Sequence, residues 1–158
     1  MLTGKDILLK SFAPLASDTF PADYTLHIRA APIEIAPKRI VSAVTYNGQF
    51  PGTLLRFKEG RLATIDVFNH MDTPEQLHWH GQQVPVEVDG AADEGTPFIP
   101  AQGQRRIVLT PRPEFRFYHT HNRAGLIFRQ ASIAGKWGPF ILSGKKTLGV
   151  TTRRFFWC

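Results

Sequence analysis

Four of the six histidines in this 158-residue chain fall into two His-x-His pairs, His78-Trp79-His80 and His119-Thr120-His121, 41 positions apart. In an extended strand successive side chains leave opposite faces, so residues i and i+2 emerge on one face about 7 Å apart. Each pair therefore offers two imidazoles side by side, while Trp79 or Thr120 faces the other way. Two such strands lying together would converge four imidazoles on one place. That set is too spread for a single ion with bonds near ~2 Å and suits a cluster of more than one metal. Imidazole is a good copper ligand, and copper is the metal to which the pattern points. One His-x-His alone would more often be structural or solvent-exposed. Two, each closing an apolar strand, favour ligation. The remaining histidines, His27 within Tyr24-Thr25-Leu26-His27-Ile28-Arg29 and His70 at a strand end, are expected to be ordinary side chains.

The elements that must position these residues are short and β-type. Runs rich in Val, Ile, Thr and aromatics cover Tyr24–Ala30, Ile33–Ala36, Arg39–Tyr46, Arg61–Asn69, Gln76–His80, Arg105–Thr110, Phe115–His121 and Trp137–Leu142. Asn47-Gly48 and Pro51-Gly52 are turn dipeptides, and most of the 12 prolines and 13 glycines lie between the runs. Helical periodicity is weak and confined to Asp6–Phe12. An all-β chain with about eight strands predicts a two-sheet sandwich with Greek-key connections. Between the two histidine pairs, Gln82–Gln104 is broken by Pro85, Gly90, Gly95, Pro97, Pro100 and Gly103, and reads as one long connection. It also holds Glu87, Asp89, Asp93 and Glu94, any of which could bring a carboxylate to the metal. The alternative for such a loop is solvated surface.

Composition excludes several classes of function. With 42% apolar residues the chain can bury one domain's core. Its only cysteine, Cys158, rules out an intrachain disulfide. No apolar run nears the ~20 residues that span a bilayer, and Met1–Phe20 lacks the continuous apolar stretch of a secretory signal. The net charge of +6 is not a nucleic-acid signature. Up to Glu114 there are 11 basic and 13 acidic residues, and the remaining 44 positions carry 8 basic and none acidic. No aromatic stacking platform or recognisable module accompanies that basic excess.

The ordered set Leu77-His78-Trp79-His80-Gly81, Asp89-Gly90, Thr96-Pro97-Phe98-Ile99-Pro100 and Phe117-Tyr118-His119-Thr120-His121 resembles the first cupredoxin domain of laccase-like multicopper oxidases, over roughly Ala36 to Gly125. The resemblance implies a cupredoxin-like Greek-key β-sandwich. Such enzymes are usually exported, to the periplasm or outside the cell. They take single electrons from a reducing substrate at a type 1 copper and reduce O₂ to water at a trinuclear cluster. Carried over, His78 would bind the type 2 copper, His80 and His119 one type 3 copper, and His121 the other. Asp89 would be the carboxylate that assists proton delivery, since a carboxylate beside a cationic cluster stays ionised. A turn residue capped by Gly90 is the simpler alternative for Asp89. Trp79 and Tyr118 read as core aromatics.

Departures from the family pattern shape the expected activity. Ala101-Gln102-Gly103 replaces a common Pro-Pro-Gly, and Leu126–Lys136 matches poorly before Trp137-Gly138-Pro139-Phe140. The type 1 cysteine flanked by histidines, and the other half of the trinuclear ligands, are not in this sequence. The expected organisation is an extension over 1–22, the cupredoxin-like domain over 23–144 and an atypical tail over 145–158. Read one nucleotide out of frame, that tail can encode a continuation typical of bacterial multicopper oxidases, so a frame-shift or truncation is expected. Alone, the chain should bind copper weakly and not turn over. Two alternatives stay open: a subunit completed by a partner chain, and a non-catalytic copper-binding sandwich module. No nucleic acid or membrane partner is expected.

Overall fold

The computed structural model describes residues 20–112, 116–120 and 137–143. The weak helical stretch Asp6–Phe12, His121 and the 145–158 tail lie outside the described residues. Among the described residues eight strands form two four-stranded sheets: β1 (Tyr24–Ala36), β2 (Arg39–Tyr46), β3 (Leu55–Lys58), β4 (Ala63–Asn69), β5 (His78–His80), β6 (Gly103–Leu109), β7 (Arg116–His119) and β8 (Trp137–Ser143). The first sheet has the order β2-β1-β4-β6 and the second β3-β8-β7-β5. β1 runs parallel to β4 and β3 parallel to β8, while the other neighbours are antiparallel. The chain therefore crosses between sheets instead of folding as successive hairpins, and the result is the expected Greek-key, cupredoxin-like β-sandwich.

Strand alternation builds the core. β4 reads Ala-Thr-Ile-Asp-Val-Phe-Asn with every odd residue buried, as a sheet with one face inward requires. Leu26, Ile28, Tyr46, Ile65, Val67 and Ile107 from the first sheet meet Leu55, Phe57, Trp79 and Tyr118 from the second. Burying each large apolar side chain contributes about 1.5–3 kcal/mol. Tyr118 packs edge-on to Tyr46 at 5.1 Å and donates its hydroxyl to the Thr53 carbonyl at 2.7 Å. Its ring lies over Gly138, its register partner on β8, where any Cβ would overlap the ring.

Three sequence expectations about elements need correction. Tyr24–Ala30 and Ile33–Ala36 are one strand, because Pro32 falls where β1 still pairs Ser42 of β2. Leu55–Lys58 was not expected as a strand, yet its buried-exposed alternation feeds Leu55 and Phe57 to the core. Gln82–Gln104 is not structureless: it contains a helical turn, α1 (Val86–Asp89), a 3₁₀ turn at Ala92–Glu94 and the start of β6.

Candidate metal centre

Pairing of β5 with β7 assembles the site. The register sets His78 opposite His119, Trp79 opposite Tyr118 and His80 opposite Phe117. Trp79 and Tyr118 turn inward and are fully buried, so the histidines on either side of them must turn outward. His78, His80 and His119 each bring a ring nitrogen within 4.8 Å of the others. Their ring centroids form a near-equilateral triangle with sides of 5.3, 5.5 and 5.9 Å. His80 is further held by stacking on Phe117 at 4.3 Å. Three of the four expected ligands thus converge, and His121 lies outside the described residues.

Hydrogen bonds orient two of the rings. Nδ1 of His78 donates to the Asp89 carbonyl at 2.8 Å, and Nδ1 of His119 donates to the Thr120 carbonyl at 2.9 Å. A carbonyl only accepts, so each ring keeps its proton on Nδ1 and its lone pair on Nε2, the arrangement that metal-binding histidines adopt. His80 Nδ1 then lies 3.4 Å from His119 Nε2. That is long for an N–H···N bond. It is close to the edge between two ligands that hold a first-row ion at about 2.0–2.1 Å with a near-tetrahedral angle. The donor set could therefore hold an ion, with the His80–His119 contact a long hydrogen bond in its absence.

Asp89 is placed at the rim, as the last residue of α1. Its Oδ2 is 3.5 Å from His78 Nδ1, with both side chains about five-sixths buried. Asp89 is a turn residue capped by Gly90, whose φ is 83°, and its carboxylate also faces a candidate ligand. Its carbonyl, which sequence motifs do not reveal, makes the closer contact. Gly90 has no room for a side chain, since a Cβ there would overlap the Leu77 carbonyl and the His78 amide.

The connection that carries Asp89 is tied down by residues whose role sequence reading missed. Buried Thr96 donates its hydroxyl to the Val86 carbonyl and accepts from the Gly90 and Ala91 amides at 3.1 and 3.2 Å. Arg105 bonds the Glu87 and Pro97 carbonyls. On the core side, Glu75 is buried, and its Oε2 accepts from Thr120 Oγ1 at 2.9 Å. The Glu75 backbone exchanges hydrogen bonds with Ile99 at 2.9 and 2.8 Å. A fixed path thus runs from Ile99 through Glu75 and Thr120 to the carbonyl that orients His119. Burial pushes the nearby Tyr46 hydroxyl well above its ordinary pKa, and the Glu75 charge adds to that. The signal for Glu75 would have been a carboxylate three residues before a His-x-His strand, which is too common to single out.

Comparisons with known proteins bear on the family and the fold. Residues 27–147 match the sequence model of a family described as multicopper oxidase. A copper resistance protein A homolog of Pseudomonas syringae pv. tomato is 32% identical over 114 residues, covering 72% of this chain and 18% of that protein. The multicopper oxidase mco of Staphylococcus aureus is 27% identical over 101 residues, 62% of this chain and 22% of its own. The crystal structure of a blue copper oxidase from Nitrosomonas europaea superimposes with a TM-score of 0.71 at 26% identity, over 79% of this chain and 39% of that one. The chain spans about a fifth of the length of these two curated relatives. By the family match and by a sandwich that carries its histidines in register, the chain belongs to the multicopper oxidase family.

Proposed function

We propose that residues 23–144 are the amino-terminal copper-binding domain of a laccase-like oxidase, supplying half of the ligands to a trinuclear cluster. Membership of the family implies copper. The observation that carries the finer reading is the 3.4 Å approach of His80 Nδ1 to His119 Nε2, with His78 alongside. His80 and His119 would hold one type 3 copper, His78 the type 2 copper and His121 the second type 3 copper. Bound copper would supply the one-electron chemistry by which O₂ is reduced to water at the expense of a reducing substrate.

The chain's own residues orient ligands and handle protons. The Asp89 carbonyl fixes the His78 tautomer, and the Thr120 carbonyl fixes that of His119. The Asp89 carboxylate, partly open to solvent beside His78, would stay ionised, accept a hydrogen bond from water at the edge of the cluster and so guide proton delivery. Four imidazoles are fewer than three coppers require. Turnover therefore needs further ligands and a type 1 site from other sequence, either more of the same polypeptide or a partner chain. Such an oxidase would work in an exported compartment. Among the described residues no helix is long and apolar enough to cross a membrane.

Copper titration with metal quantification, run on the 158-residue chain beside His78→Ala and His119→Ala, tests the assignment. Each variant should lose copper stoichiometry or affinity. Unchanged binding in both would remove the assignment, and O₂-coupled turnover by the isolated chain would refute the need for further ligands.

A further inference from the structure

On the other sheet a second pair of imidazoles meets, away from the cluster. Parallel pairing of β1 with β4 sets His27 beside Phe68 and Ile28 beside Asn69, so that His70, just past β4, reaches back to His27. His27 Nδ1 and His70 Nε2 are 2.9 Å apart, and the ring planes lie within 18° with centroids 5.1 Å apart. The 2.2 Å by which 5.1 exceeds 2.9 is two imidazole ring radii, so the facing nitrogens point at each other nearly in line. One of them must carry a proton to the other.

We propose that His27 and His70 form a separate binding site for a monovalent d¹⁰ ion, Cu(I), held in line between His27 Nδ1 and His70 Nε2. Three observations support this ion over a divalent one. The nitrogens already face each other as linear two-coordination requires, whereas the right-angled or tetrahedral ligation of a divalent ion would need both rings to turn. Arg29 lines the same cavity, of about 600 Å³, with Thr25 and Asn47. Neutral imidazoles beside a guanidinium accept one added positive charge more readily than two. Phe68 stacks on His27 at 5.1 Å and keeps water from one side of the ring, which favours a low coordination number.

Hydrogen bonds hold the backbone of both residues, the His70 amide donating to the Ile28 carbonyl at 2.9 Å, so any adjustment falls to the His70 side chain. The His27 amide donates to Asn47 Oδ1 at 2.7 Å, and the His27 carbonyl accepts from the Asn47 amide at 2.8 Å. His70 is exposed. Bonds near ~2 Å put the two nitrogens about 4 Å apart, so the pair opens by roughly 1 Å through a shift of the His70 side chain. The shared proton moves to the outward nitrogen of the same ring. Each imidazole stays neutral, no proton is released and no electron is transferred.

Titration with Ag(I), a redox-inert ion of the same preference, tests the site in the full chain with the Cys158 thiol alkylated. Imidazole ¹⁵N resonances are the readout. The parent and His78→Ala should both show Ag(I)-induced shifts at His27 Nδ1 and His70 Nε2. His70→Ala, an exposed change that leaves the fold intact by circular dichroism, should bind one equivalent less. Equal Ag(I) stoichiometry in His70→Ala and parent would overturn the proposal. So would shifts confined to His78, His80 and His119, or shifts of the pair by Zn(II) but not by Ag(I).

Discussion

Two groups of histidines on opposite sheets are built by the same device, strand pairing, and end in different chemical states. At the candidate metal centre an antiparallel pair places His78 opposite His119, and main-chain carbonyls accept hydrogen bonds from both Nδ1 atoms. The nitrogens left facing each other are then 3.4 Å apart. On the first sheet a parallel pair brings His27 to His70 at 2.9 Å, and the proton stays between them. Where the protein supplies carbonyls, the Nε2 lone pairs are freed in advance; where it does not, the two imidazoles share a proton that must move to an outer nitrogen before an ion can enter between them. The location of the second protons thus separates a site that is prepared for a metal from one that must first rearrange.

That contrast can be broken at the centre alone. Gly90→Ala should have the largest effect. A methyl would collide with the Leu77 carbonyl, and the residue would be held at φ 83°. A loss of about 2–4 kcal/mol in denaturant unfolding is expected, together with loss of copper affinity as Asp89 moves from His78. The His27–His70 resonances should not change, and a stable Gly90→Ala chain that binds copper normally would show that the Asp89 carbonyl does not orient His78. Next in size, Glu75→Ala should cost about 1–3 kcal/mol by leaving the Thr120 hydroxyl without its buried carboxylate acceptor. It should also weaken copper binding roughly tenfold through His119. Glu75→Gln, which keeps an acceptor, should recover most of the copper affinity; failure to do so would assign the effect to charge and not to positioning.

Smaller effects sharpen the other side of the comparison. Asp89→Asn keeps the main-chain carbonyl on His78 and removes the carboxylate, so it should leave copper stoichiometry unchanged in equilibrium dialysis. A lost equivalent would mean that the side chain, not the backbone, holds the ring. The smallest effect concerns pH. Burial, then His70 and Arg29, hold the His27 imidazole below its ordinary pKa of 6.5. The unfolded chain therefore takes up more protons in acid. His27's contribution to stability should be intact above pH 6.5 and decline as pH falls from there through the lower folded value. A His27→Gln chain should lack that part of the pH slope in urea melts, and an identical slope would discount the depressed basicity.

The convergence of His78, His80 and His119 was legible in the sequence because its information is local. A spacing of two along a strand fixes which side chains share a face, and Trp79 or Tyr118 between ligands marks the face turned inward. Asp89 was legible as part of a motif, but its carbonyl was not, since every residue has one. Glu75 gave no signal because its burial depends on Ile99, 24 positions later, closing a bridge across the long connection. The His27–His70 pair was read as two ordinary residues. It exists only through the register of a parallel pairing between positions 43 apart, with another sheet visited in between. Leu55–Lys58 escaped notice because four residues with two charges carry little alternation, although Leu55 and Phe57 supply it.

The position of Trp79 between His78 and His80 has a consequence for how this centre tolerates change. A slip of β5 by one residue against β7 would send both imidazoles into the core and the indole into water. The packing that keeps Trp79 dry is therefore the same packing that aims the ligands. Substitutions across the sandwich that preserve the core preserve the facing of the ligands as well, so the site inherits its register from the fold and leaves to the Asp89 and Thr120 carbonyls only the rotation of the rings.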